Sequence, residues 1–215
     1  MTVRELHEEL VALHGAPSAV HSDDGVRQLV TTILSQNVAD IQTSKAAANL
    51  FATYDSYRAI ETAPQAELAE VISQVGLMNQ KSRRIQRALT AIRAETGGEY
   101  SLEFLREMET DRAKAWLTDI RGIGPKTASV VLNFHFDKPT FAVDTHVERL
   151  SKRFGFVADS LSAARVHEEM NDLVPDGLKY SLHVLMITHG REYCTARNPD
   201  CANPVCRQFC SCEHC

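Results

Sequence analysis

The stretch LTDIRGIGPKTASVVLNFHFDKPTFAVDTH, residues 117–146, decides the fold and carries most of the chemistry. Within it, Arg121-Gly122-Ile123-Gly124-Pro125-Lys126-Thr127 reads as a hairpin between two helices. Gly122 and Gly124 permit a tight turn with exposed backbone. Pro125 suits the first position of a helix, where its missing N–H costs nothing. The helix then runs through Ala128, Val131 and Leu132. The unpaired N–H groups of the turn and the helix start form a cradle for phosphate. Lys126 falls in the first helical turn, where the helix dipole disfavours an ammonium and lowers its pKa. At a pKa of about 10.4, only ~0.04% of a lysine is neutral at pH 7, so a drop of about two to three units raises that fraction roughly 100- to 1000-fold. Lys126 is therefore read as a nucleophilic amine. Asp144 follows in Ala142-Val143-Asp144-Thr145-His146. Thr145 and Glu148 have capping-box spacing, which predicts a helix beginning there with Asp144 at its mouth. A carboxylate beside a neutral amine accepts its proton or faces a developing positive charge. Taken singly, a first-turn lysine is commonly just solvated and an aspartate before a helix is commonly just a cap. Hairpin, lysine and aspartate in order on consecutive helices form a much more specific signal.

Outward from this stretch, the 215 residues are 44% hydrophobic and 24% charged, with 23 basic and 28 acidic side chains and a formal net charge of −5. Such a chain is globular, with length for one large core or two small ones. The net charge does not advertise a nucleic-acid binder, but binding needs only a local basic face. The amphipathic start MTVRELHEELVALHG lacks the apolar core of a signal peptide. No apolar run approaches the length of a membrane span. The expectation is a soluble cytoplasmic protein. Helical periodicity predicts helices over residues 3–14, 25–36, 41–54, 57–62, 65–75, 80–95, 102–108, 112–117, 125–134, 145–153, 162–173 and 179–192. Residues 138–143 read as extended but have no partner strands. The fold class is all-α. Two helical domains are expected: residues 24–136, ending in the hairpin, and residues 1–23 together with 137–215. The site is expected in a groove between them, where Lys126 and Asp144 meet.

All six cysteines fall between Cys194 and Cys215. A secreted disulfide protein distributes its cysteines through the fold, so this C-terminal concentration reads as a metal or cluster site. Four thiolates suit an iron–sulfur cluster or zinc.

Residues 117–154 resemble the helix-hairpin-helix and Gly/Pro-Asp region of the endonuclease III family of DNA glycosylases. Leu34-Ser35-Gln36-Asn37-Val38-Ala39-Asp40 is similar to that family's early helix-end motif. Val75-Gly76-Leu77-Met78-Asn79-Gln80-Lys81 is similar to its second DNA-facing loop, and His189-Gly190-Arg191 leads into the first cysteine as the family pattern does. The resemblance implies that Lys126 attacks the sugar and Asp144 assists. It implies a glycosylase with AP lyase activity, acting on duplex DNA that carries damaged bases or abasic sites, as a monomer associated with the nucleoid. The damaged base is expected to be an oxidised pyrimidine. Rival expectations are a mismatch-specific glycosylase of the same superfamily, whose branches usually lack the lysine, and a catalytically weakened DNA-binding member. Gly122 and Gly124 hold phosphate in this picture, and Asn37 and Leu77 fill the hole left by an extruded base. This chain departs from the family at Asn37, where Gln is common, and at Gln36, where a small residue is common. The family's cluster pattern, Cys-x6-Cys-x2-Cys-x5-Cys around a [4Fe–4S] cluster, is matched only in its first spacing. The expected ligands are Cys194, Cys201, Cys206 and Cys212, with Cys210 and Cys215 as alternatives. Lys81, Arg83, Arg84 and Arg87 form the densest basic run, with Lys152, Arg153 and Arg191 as a second cluster.

Overall fold

The computed structural model describes residues 2–18 and 22–210. Among these the regular structure is entirely helical, with no strand. Thirteen α-helices follow in order: α1 (Val3–His14), α2 (Gly25–Ser35), α3 (Asp40–Thr53), α4 (Tyr57–Thr62), α5 (Gln65–Val71), α6 (Met78–Glu95), α7 (Phe104–Glu107), α8 (Thr110–Asp119), α9 (Pro125–Phe136), α10 (Thr145–Arg153), α11 (Ala163–Leu173), α12 (Lys179–Glu192) and α13 (Pro204–Phe209). A 3₁₀ turn, Asp176–Leu178, precedes α12.

The chain divides into two compact units, His21–Phe136 and Met1–Val20 with Asp137–Cys215. Each has its own apolar core. In the first, Leu29, Ile33 and Leu34 of α2 pack with Leu50, Ile85, Leu89, Ile92, Val131 and Leu132. In the second, Leu6 and Leu10 of α1 pack with Phe141, Leu150, Phe154, Met170, Leu182 and Met186. Burying side chains of this size stabilises by roughly 1.5–3 kcal/mol each.

Local chemistry sets the helix starts. Thr2 and Glu5 form a reciprocal capping box at α1. Asp24 caps α2 through Val26 N and Arg27 N, and its other oxygen accepts from the Tyr57 hydroxyl. At α10 the cap is Asp144 itself rather than the Thr145–Glu148 pair expected from spacing. Asp144 has the extended backbone a cap requires, whereas Thr145 is already helical. α13 was not expected from periodicity. Six residues are too few to show a period, yet its start carries a readable signal: the Asn203 side chain accepts from Cys206 N at 2.9 Å and Pro204 occupies the first helical position.

Candidate functional site

The hairpin joins α8 to α9 in the unit His21–Phe136. Ile120 and Ile123 are buried and pin the turn to the core. Ile123 N donates to Ile120 O at 2.9 Å, closing the turn, and Ala128 N donates to Gly124 O at 3.0 Å, opening the helix. Gly122 adopts φ +106, a left-handed conformation that favours glycine. A Cβ there would also lie 2.5 Å from Arg84 Cγ. Gly124 is exposed, with open space where a Cβ would stand. Pro125 opens α9 and Lys126 is its second residue, half-buried, in a first turn without acidic side chains. The helix-start N–H groups here have no intrahelical acceptors and present a positive dipole end.

Two further loops belong to the same unit. Asn37, just past α2, is exposed with φ +57. Leu77, just before α6, has φ +60 and is 55% exposed. That exposure removes core packing as the explanation for Leu77. Both wedge candidates therefore sit in a strained backbone region that non-glycine residues rarely adopt. Positive φ at these two residues leaves no mark in sequence periodicity.

The basic run of α6 divides around the helix. Arg83 and Arg87 are exposed. Lys81 is fully buried and donates from Nζ to Leu34 O at 2.7 Å. Burial, with the nearby Arg84 charge, lowers its pKa to about 8. Arg84 donates from Nη1 to Gln36 Oε1, and Gln36 Nε2 donates to Thr127 Oγ1 at 3.1 Å. Lys81 and Arg84 are thus internal struts rather than free phosphate contacts.

Asp144 lies in the other unit. Its Oδ1 accepts from His146 N at 2.9 Å and Val147 N at 2.8 Å. The carboxylate is half-buried and fixed at the start of α10. One turn on, Arg149 donates to Cys194 O at 3.1 Å and Gly190 O at 2.8 Å. Arg153 donates to Cys194 Sγ at 3.1 Å and Thr195 O at 2.8 Å. These two arginines latch the segment entering the cysteine region onto α10. Arg153, one of the second basic cluster, is thus engaged in internal contacts. Lys152 pairs with Glu148 at 2.8 Å.

Cys194 and Cys206 are buried neighbours. A hydrogen bond from the Cys206 thiol lowers the Cys194 pKa, and the Arg153 and Arg149 guanidiniums lower it further. The same bond and burial raise Cys206. His189, a buried residue of α12, reaches Cys206 Sγ at 3.5 Å, and burial with the neighbouring His14 lowers its pKa to about 4. The donor chemistry at Cys194 and Cys206 suits a thiolate-bound group. Cys201 is engaged in a disulfide, so ligation there requires its reduced form. Cys212 and Cys215 lie outside the described residues. Among the described residues, no three potential metal ligands are gathered at one point.

These elements define a class. Residues 30–176 match the model of the HhH-GPD superfamily of base excision DNA repair proteins. Endonuclease III of Thermotoga maritima is 31% identical over 210 residues, covering 97% of this chain and 92% of that protein. A protein of Arabidopsis thaliana is 33% identical over 163 residues, which span 76% of this chain and 55% of that longer relative. The structure of a trapped endonuclease III–DNA covalent intermediate superposes with a TM-score of 0.82 at 30% identity, covering 97% of this chain and 94% of that one. The chain belongs to the endonuclease III family, bifunctional DNA glycosylase/lyases of base excision repair.

Proposed function

We propose that this chain, acting as a monomer, excises an oxidised pyrimidine from duplex DNA and then nicks the strand at the abasic sugar. The supporting observation is Lys126 at the second position of α9, behind a glycine hairpin, in a chain so similar to an enzyme trapped covalently on DNA. The hairpin N–H groups, with Gly122 and Gly124, hold one phosphate and set the register. Extruding the base costs a few kcal/mol and leaves a gap in the stack, which Asn37 and Leu77 fill from their left-handed loops. The neutral Lys126 amine attacks C1′ and the base departs with the glycosidic electron pair. Asp144 accepts a proton from the attacking amine or faces the cationic sugar. The nitrogen lone pair then opens the C1′–O4′ bond, O4′ takes up the proton lost from the amine, and a Schiff base joins Lys126 to C1′. Loss of a proton from C2′ expels the 3′ phosphate by β-elimination, and water releases the lysine.

The Met1–Val20 and Asp137–Cys215 unit is proposed to hold a [4Fe–4S] cluster on Cys194, Cys201, Cys206 and Cys212. The cluster supplies a structural cross-link and takes no part in base removal. It orders the segment in which Arg197, on a loop, and Arg207, on α13, are exposed.

A panel of labelled duplexes carrying thymine glycol, dihydrouracil, uracil, 8-oxoguanine or an abasic site, assayed with and without borohydride, tests the reading. The expected result is excision and borohydride trapping on the two oxidised or saturated pyrimidines, with nicking of the abasic site. Activity confined to uracil, without trapping, contradicts it.

A further inference from the structure

We propose that Gln36 is a positioning residue that locks the early loop, the hairpin and α6 into one block before DNA arrives. It stands in the first, and its carboxamide touches the other two. Nε2 donates to Thr127 Oγ1 at 3.1 Å and points to Gly122 O at 3.5 Å, while Oε1 accepts from Arg84. Thr127 is the residue after Lys126 and is buried, so the bond anchors the helical turn that carries the amine. Gly122 is the left-handed corner of the hairpin, with the aliphatic part of Arg84 packed against it. Arg84 stands on α6, the helix that Leu77 opens, and Lys81 on the same helix adds the second strut to Leu34 O. Asn37, with φ +57, is the next residue along from Gln36.

Asparagine adopts the left-handed conformation just past a helix end at little cost, but the direction in which its side chain reaches still depends on what holds the loop. Gln36 supplies that hold from the hairpin side. Its side chain ends on donors and acceptors whose positions are set by α6 and α9, so the reach of Asn37 is fixed relative to Lys126. Only a side chain that reaches this far and both donates and accepts makes these bonds. The clamp deepens the glycosylase reading above and depends on that reading for its effect on catalysis, though not for its existence.

The test uses Gln36→Met, which keeps side-chain length but neither donates nor accepts, and Thr127→Val, which removes one bond at constant shape. In the free protein, amide hydrogen exchange at residues 35–39 and 120–124 should quicken together in Gln36→Met, with the two cores as protected as in wild type. On a lesion duplex, the single-turnover excision rate should fall about 10- to 100-fold, the scale of small misplacements. The double variant should excise no more slowly than the slower single one, because both break one network. If Gln36→Met exchanges and excises like wild type, or quickens only its own loop, the clamp is wrong. If Gln36→Met loses cooperative thermal unfolding, Thr127→Val decides by the same exchange criterion. Wild type that excises no lesion sinks the functional reading, while the exchange result still judges the clamp.

Discussion

Asp144 is both a helix cap and a candidate proton acceptor, and the two roles separate by substitution. Its Oδ1 satisfies two backbone N–H groups at the start of α10. Asparagine retains that acceptor, so Asp144→Asn should unfold at nearly the wild-type temperature. Removing the negative charge should still lower the excision rate about 100- to 10,000-fold, the usual range for a lost general base. Asp144→Ala should show the same rate loss plus about 0.5–2 kcal/mol of destabilisation from the missing cap. Calorimetry with single-turnover kinetics on both variants checks this, and equal rates for Asp144→Asn and wild type would remove Asp144 from the chemistry. Gly122 was legible in the sequence because its left-handed turn demands a glycine. The positive φ of Leu77 was not, because leucine rarely adopts it, whereas Asn37 just past the end of α2 is a residue type that commonly does. Gln36 looked like a departure from a family habit, and only its three partners show what it does.

Several helices were readable to their ends. α1, α4, α10 and α12 begin and end at the expected residues. The register of α6 was readable too, but not the fate of its charges. A lysine in a basic run reads as solvated, yet Lys81 points inward and is capped by Leu34 O. That geometry has a pH signature. Burial lowers the folded pKa from 10.5 to about 8. Between those values the unfolded chain holds a proton that the folded chain has released, so stability rises with pH across that window and is lower where Lys81 is charged. Urea denaturation of wild type against Lys81→Met, from about pH 7 to about pH 10, should show the difference moving in favour of wild type as pH rises. A constant difference would mean that Lys81 keeps its ordinary pKa. α13 is too short to leave a periodic trace, yet Asn203 and Pro204 mark its start.

Each of the two units, His21–Phe136 and the joined ends of the chain, has its own buried core. All-helical architecture follows from periodicity alone. The latch by which Arg149 and Arg153 hold Cys194 does not, because it pairs residues more than forty positions apart. If a cluster sits at that latch, purified protein should contain about four iron and four sulfide per chain. Cys194→Ser should lose nearly all the iron and melt at a lower temperature. Full iron content in that variant would exclude Cys194 as a ligand. The account as a whole turns on the Lys126 amine forming a bond to the deoxyribose carbon. Borohydride reduction of wild type and Lys126→Ala on a thymine glycol duplex, followed by mass spectrometry of the adduct, tests it most directly. The account predicts a covalent adduct on Lys126 in wild type, and in Lys126→Ala no adduct and no nicking with duplex binding retained. An adduct on another residue, or undiminished nicking by Lys126→Ala, would contradict it.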